Sequence, residues 1–316
     1  MVVSAASSQL RSQMLCPREI GSAGAVKQVP LGCSAPGKGR KEMKQKMIAV
    51  INDFSGFGRC SLMVSVPIIS AMKIQCCGLP TAILSNHTGY PEFFFDDYTE
   101  KMREYYMNWK KLGLHFDGIY TGFLGSVRQV AIVEDFIKEF AEKDTRIIVD
   151  PVMGDNGRRY ATIGDNLCRE IRKLLPLSSI ITPNLTEACL LAGIEYREPG
   201  ADVEELRAIA GKLRHHGASD IVITGINDGN DICDFVWQEN GRCELMRQPS
   251  SGKAHAGTGD VFASIIAADA VNGVSFPQSV RRAAGFVGKA IALSDELGIP
   301  PQDGVCFEEM LGELVR

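Results

Sequence analysis

No apolar run in this 316-residue chain approaches the roughly 18 residues that a membrane-spanning helix needs, so a soluble chain is expected. There is no basic excess either: the formal net charge is −4, which leaves no electrostatic footprint for nucleic acid. Ten cysteines are present, yet no two form a C-x-x-C pair and none has a histidine at zinc spacing, which excludes thiolate metal sites. Unpaired cysteines in strands and helices act as small hydrophobes, as expected in a reducing compartment. The chain lacks G-x-x-x-x-G-K-[ST], which excludes a P-loop. It also lacks a full dinucleotide fingerprint. Gly56 and Gly58 follow the first strand-like run, but Ser61 holds the third glycine position and no acidic residue follows about 20 positions on. No internal repeat is visible.

With 45% hydrophobic residues, what remains is enough for a large core, as one sizeable domain or two small ones. Residues 1–46 stand apart. They are rich in Ser, Gly, Ala and Pro and carry eight Lys/Arg against two Glu. They are expected to be a disordered extension or a transit-like segment; Met47 is an equally good start point, directly before the first strand-like run. Without a transit function the chain is expected in the cytoplasm; with one, in an organelle. Residues 47–316 are expected to hold the folded domain.

From Met47 onward, short apolar runs alternate with amphipathic stretches. Strands are expected at 48–51, 74–84, 118–121, 146–149, 179–182 and 220–224. Helices are expected at about 59–72, 97–112, 127–142, 166–175, 186–191 and 203–215. Residues 53–58 read as a turn. Glu239-Asn-Gly241 reads as a hairpin between runs 231–237 and 242–247. Helices at 260–272, 277–294 and 307–315 close the chain. Uninterrupted apolar strands alternating with helices imply an α/β fold with a mostly parallel sheet covered on both faces. Ligands of such folds bind beyond the carboxyl ends of the strands. The polar residues there are Asn52-Asp53, Asp150, Thr182-Pro-Asn184 and Thr224-Gly225.

His255-Ala-Gly-Thr-Gly-Asp-Val-Phe-Ala-Ser264 is the most informative stretch. Gly257 and Gly259 let backbone N–H groups approach an anion, and the following helix adds partial positive charge. Asp260 then stands beside a phosphate-sized hole, where it can accept a hydroxyl proton during phosphoryl transfer. The competing reading is a helix cap by Thr258 or Asp260. Asp150-Pro-Val-Met-Gly-Asp155 offers two carboxylates that can help hold Mg²⁺ between nucleotide phosphates, or alternatively a strand end and an Asx turn. In Thr182-Pro-Asn-Leu-Thr-Glu187, Asn184 and Glu187 project from one helix start, as ligands or as a capping pair. Ser85-Asn-His-Thr-Gly-Tyr90 offers rings, hydroxyls and an amide to a flat heteroaromatic ligand, or is a plain polar loop.

Taken in order with Thr121-Gly-Phe-Leu-Gly125, these segments resemble the ribokinase-like superfamily, in particular its pyridoxal/pyridoxamine kinase branch. The resemblance spans about residues 47–316. Gly257-Thr-Gly-Asp260 is common to the superfamily, whereas Ser85 to Tyr90 is selective for the vitamin B6 branch. It implies a three-layer α/β/α sandwich and an ATP-dependent kinase acting on the 5′-hydroxymethyl group of pyridoxal, pyridoxamine or pyridoxine, in pyridoxal phosphate salvage. It further implies Asp260 as base, with Gly257, Thr258 and Gly259 in the catalytic loop and Ala256 to Gly259 as anion hole. Asp150, Asp155, Asn184, Glu187, Thr224, Gly225 and Ala256 are implied at ATP. Asn52 or Asp53, Thr88, Gly89 and Phe123, with Asp260, are implied at the substrate. Asp150, Thr182 and Glu187 are implied around Mg²⁺ and an activating K⁺. A loop at 156–161 is expected to cover the nucleotide, and a homodimer is expected. Three features depart from the family: Asn52-Asp53 stands where serine is frequent, Gly225 falls at a variable position, and residues 1–46 have no counterpart. The alternatives are a hydroxymethylpyrimidine kinase of thiamine synthesis, or a non-catalytic vitamin-binding protein on the same scaffold.

Overall fold

Short apolar runs rich in Ile and Val become the central strands because each can bury both of its faces. The computed structural model describes residues 45–197, 200 and 202–315. Most of the extension expected over residues 1–46 therefore lies outside the described residues. In chain order the elements are β1 (Met47–Phe57), α1 (Leu62–Ala71), β2 (Gln75–Asn86), β3 (Phe95–Asp97), α2 (Thr99–Lys111), β4 (Gly118–Thr121), α3 (Val127–Phe140) and β5 (Arg146–Val149). There follow β6 (Gly154–Asp155), β7 (Arg158–Arg159), α4 (Asp165–Ile171), β8 (Ile180–Ile181), α5 (Leu185–Ala192) and α6 (Val203–His215). The remainder is β9 (Asp220–Asp228), β10 (Asp231–Trp237), β11 (Cys243–Pro249), α7 (Thr258–Val271) and α8 (Phe276–Glu296), with 3₁₀ turns at Arg172–Leu177, Pro301–Asp303 and Glu308–Leu314.

Among the described residues, nine strands form one sheet in the order β11-β10-β9-β8-β5-β4-β1-β2-β3. The six from β9 to β2 run parallel; at the edges β3 pairs antiparallel with β2, β10 with β9, and β11 with β10. Side chains alternate between two cores. Ala49, Ile51, Ile119, Ile147, Val149, Ile181, Ile221 and Ile223 face one, which also buries residues of α2 to α6. Ile48, Val50, Tyr120, Ile148, Ile180 and Val222 face the other, built with α1, α7 and α8. Period-two alternation with both faces apolar makes this a three-layer α/β/α arrangement, as expected.

The boundaries that differ do so for local reasons. Asp53–Gly58 is not a turn: β1 continues to Phe57 because β2 runs beside it, pairing Phe54 with Ile83 and Phe57 with Asn86 after a bulge at Asn52/Phe54. The helix expected from Asp97 starts at Thr99, since Phe95–Asp97 pairs with β2 as an edge strand. Residues 156–161 are not an open loop throughout. Asn156 (φ 50°) and Gly157 (φ 73°) join β6 to β7 with the left-handed pair that a tight hairpin uses. The closing segment is 3₁₀ rather than α; it is seven residues long and contains Gly312, a poor α-helix former.

The strand order reverses between β4 and β1, which diverge to opposite halves of the sheet. Such a switch point opens a crevice at the strand ends. Asn52 and Thr121-Gly122 stand at that crevice.

Candidate active site

The N-terminus of α7 is held open. Its cap is Gly257 (φ 75°), and no side chain caps the helix. A methyl group at this position would lie 1.7 Å from the Arg59 carbonyl oxygen, so glycine is needed for both conformation and space. The Thr258 hydroxyl donates back to the His255 carbonyl (3.3 Å). The Asp260 carboxylate accepts from the Asn52 side-chain amide (3.0 Å) and the Ser61 backbone N–H. The capping reading of Thr258 and Asp260 therefore does not apply. The first amides of the helix, lacking carbonyls a turn earlier, are left for an anion. Gly259 is exposed, and among the described residues nothing lies within 4 Å of where a methyl would project. Ala256 differs from its neighbours: its N–H donates to Pro301 O (2.9 Å) and its carbonyl accepts from Val305 N. Its amide is structural.

Asn52, and not Asp53, reaches Asp260. Fully buried, Asn52 also accepts the N–H groups of Asp53 (3.0 Å) and Phe123 (2.8 Å). Its three bonds join β1, the end of β4 and α7. Asp53 turns instead to the hydroxyls of Ser55 (2.9 Å) and Ser61 (2.5 Å). Ser61, at the left-handed φ of 58°, thus serves both carboxylates, one with its hydroxyl and one with its amide. Nothing in its sequence context marks this role; only the strained backbone does. Burial pushes the Asp260 carboxyl up to about 6, with Asp53 adding to the rise and the Ser61 and Asn52 bonds opposing it.

The neighbouring strand ends supply further carboxylates. Asp150 is buried and accepts from the Thr182 hydroxyl (3.1 Å). Burial, then the charge of Asp260, push its carboxyl up to about 8. Glu187 is buried, and burial followed by Asp150 raises its carboxyl well above the usual range. Both its oxygens are engaged, by Met153 N (3.0 Å) and Asn184 N (2.9 Å). In return the Asn184 side-chain oxygen accepts from the Glu187 N–H (3.0 Å), completing a capping box on α5, and its side-chain amide donates to the Gly154 carbonyl (2.8 Å). The capping pattern and the candidate nucleotide site are thus the same residues. Asp155 is exposed and accepts the backbone N–H (2.8 Å) and the side-chain amide (3.0 Å) of Asn156; the Gly157 N–H goes to Thr186 Oγ1 (2.8 Å), so Asp155 makes no Asx turn.

Asp155, Asn156, Asn184, Thr186, Gly225 and Asn227 line one small cleft, with the β6–β7 hairpin as a wall. Thr224 bridges to Asn184, and its N–H donates to Pro183 O (2.9 Å). At the other end of the crevice, Thr88 and Gly89 lie exposed on a turn. His87 Nδ1 accepts from Gly89 N (3.1 Å), so Nε2 carries the proton donated to Gln302 O (2.7 Å). Tyr90 OH donates to the Asp303 carboxylate (2.6 Å). Gln302 and Asp303 belong to the same segment that binds the Ala256 amide, so one connection supports both the anion loop and this turn. Phe123 is half-buried with its ring on the core side.

Among the described residues, no three of His, Cys, Asp and Glu form a ready metal cage. The donor set nonetheless fits a hard cation bound mostly through phosphates and water. Asp150 and Glu187 are buried oxygen donors whose carboxyls are both raised, by burial first and, for Glu187, next by the charge of Asp150.

The sheet order, two-sided core and glycine-headed α7 define an α/β protein of the ribokinase-like class. A family model described as phosphomethylpyrimidine kinase matches residues 69–304, and the chain belongs to that family. A Bacteroides thetaiotaomicron protein provisionally assigned as a phosphomethylpyrimidine kinase is 39% identical. Its rhombohedral crystal form superposes with a TM-score of 0.83 over 87% of this chain and 96% of that one. A second crystal form of that protein contains pyridoxal and gives a TM-score of 0.81 over 86% and 96%. Pyridoxal kinase from Lactobacillus plantarum is 27% identical with a TM-score of 0.79, over 86% and 97%. The chloroplastic thiamine biosynthetic bifunctional enzyme TH1 of Arabidopsis thaliana is 26% identical over 80% of this chain; the chain spans 48% of its length.

Proposed function

We propose that the protein is an ATP-dependent kinase that phosphorylates the 5′-hydroxymethyl group of a vitamin B6 vitamer. The observation that carries this reading is the orientation of Asp260: it lies in the first turn of an uncapped helix yet points across the crevice to Asn52. A carboxylate beside free helix amides suits phosphoryl transfer to an alcohol. In this mechanism the γ-phosphoryl group sits on the Thr258–Asp260 amides, the hydroxyl oxygen bonds to phosphorus, and the bond to the β-phosphate oxygen breaks. Asp260 takes the hydroxyl proton late, after the forming bond has acidified it. Asn52 holds the carboxylate in line, so alignment and charge stabilisation supply most of the acceleration. Mg²⁺ held through Asp150 and Glu187 would neutralise phosphate charge, and K⁺ near Asp150 and Thr182 would do so from the side. We place Thr88 and Gly89 at the ring of the substrate and take the active form to be a homodimer.

The Ser85–Tyr90 segment and the pyridoxal bound to the Bacteroides relative support a B6 substrate. The second reading is hydroxymethylpyrimidine, favoured by the family description and by the thiamine-pathway relative. The test is ATP consumption by the purified chain with pyridoxal, pyridoxine, pyridoxamine and hydroxymethylpyrimidine in parallel. The B6 reading expects kcat/KM for at least one vitamer to exceed that for the pyrimidine by about tenfold or more. The opposite order would establish the second reading, and no turnover of any alcohol would overturn both.

A further inference from the structure

Asp234 is a buried carboxylate that the mechanism above does not use, 4% exposed in the middle of β10. Its Oδ1 accepts the Gly225 N–H at 3.2 Å. The register of β9 against β10 explains the contact. Cys233 faces Ile226 and Phe235 faces Ile223, so the single residue Asp234 lies opposite both Thr224 and Gly225. This is a β-bulge with a left-handed glycine (φ 69°), and a bulge of this kind leaves an amide without its ladder carbonyl. The Asp234 carboxylate takes that carbonyl's place. Keeping it there is costly, since burial pushes the group up to about 6. Simple strand pairing would avoid that cost. The bulge lies at a place where local shape matters: Gly225 lines the cleft with Asp155, Asn184 and Thr186, and Thr224 bridges to Asn184.

We propose that Asp234 is a positioning residue for the nucleoside triphosphate, fixing the Thr224–Gly225 bulge as the wall of the cleft without touching the ligand. This rests on the reading of that cleft as the ATP site of a kinase. Asp234 acts only through the Gly225 amide, so an uncharged acceptor of the same shape should replace it.

The test is steady-state kinetics of the full chain with ATP varied at saturating alcohol, and then the reverse, for wild type, Asp234→Ala, Asp234→Asn and Gly225→Ala. Asp234→Ala is expected to raise KM for ATP by about tenfold, the scale of a lost charged hydrogen bond, with kcat and the alcohol KM within about threefold. Asp234→Asn should restore KM for ATP to within about twofold, with a Tm at least equal to wild type. Gly225→Ala leaves its methyl in open space but opposes the left-handed backbone, so it should reproduce the ATP defect. It also carries the test should Asp234→Ala not fold. The proposal is overturned by an unchanged ATP KM in both Ala variants, by a defect spread equally over both substrates and kcat, or by failure of Asn to rescue. A wild-type chain that turns over no alcohol with ATP would sink the kinase reading instead, and that outcome is visible before any variant is made.

Discussion

Burial, with the charge of Asp53 behind it, raises the Asp260 carboxyl against the hydrogen bonds of Ser61 and Asn52. A carboxyl raised to about 6 is still ionised at pH 8, yet it is a stronger base than an exposed aspartate. The acid limb of kcat/KM should therefore lie near pH 6, with activity falling as Asp260 is protonated. Asp260→Asn removes the base while leaving an acceptor for Ser61 N–H, and kcat should fall by about 10²–10⁴-fold, the usual span for a general base. Stability should move the other way. The unfolded carboxyl, at its ordinary lower value, loses its proton first. Wild-type stability then declines as pH rises through that value towards 6, and above 6 the variant should have the higher Tm. Turnover near wild type in Asp260→Asn, or an acid limb unmoved in conservative variants of Asn52, would remove Asp260 from its role. Asp260 and Gly257 were legible in the sequence because few residue types can sit at a phosphate loop. Asn52 was legible only as one of two candidates, because the strand bulge that separates it from Asp53 depends on pairing with β2. Ser61 and Asp234 were not legible: a positive φ on serine and a carboxylate opposite a bulge arise from tertiary register alone.

At the scale of elements, the N-terminus of α7 makes a sharper test than any single side chain. Gly257 and Gly259 look equivalent in the motif, but their surroundings differ. A methyl at 257 would collide with the Arg59 carbonyl in a left-handed backbone, whereas one at 259 would meet open space. Gly257→Ala is expected to cost several kcal/mol, roughly the sum of backbone strain and a forced shift, and to lower Tm measurably. Gly259→Ala should leave Tm within about 1–2 °C, since nothing in the fold resists it. Its kcat/KM should nevertheless fall by tenfold or more, because the open space is where a phosphate is proposed to sit. Equal activity in wild type and Gly259→Ala would show that no anion occupies the space. The central strands were legible in the sequence because uninterrupted Ile/Val runs leave little choice. The edges were not: β1 extends past Asn52 and β3 forms at Phe95 because β2 offers hydrogen bonds on both sides, a long-range fact invisible to local pattern.

Across the molecule, the crevice gathers Asp53, Asp150, Glu187 and Asp260, every one with a raised carboxyl. Burial is the leading cause in each case. Such a set is a stability cost that grows with pH, because the unfolded chain ionises these groups earlier than the folded one does. Asp150, raised to about 8, keeps this trend going into the alkaline range. A bound cation reverses it by favouring the ionised form. Thermal melts with a nucleoside triphosphate, with and without Mg²⁺, should therefore show a larger Mg²⁺-dependent rise in Tm at pH 8 than at pH 6. Protonation of the nucleotide itself also weakens Mg²⁺ binding at the lower pH, so Asp150→Asn serves as the control. In that variant the pH difference should shrink to what the nucleotide alone contributes, while the fold persists because Asn still accepts from Thr182. A Mg²⁺ effect of the same size in wild type and Asp150→Asn at both pH values would mean that the cation never meets this carboxylate. The strand-end acids would then be structural, and the proposed phosphate geometry would have to be rebuilt around the α7 amides alone.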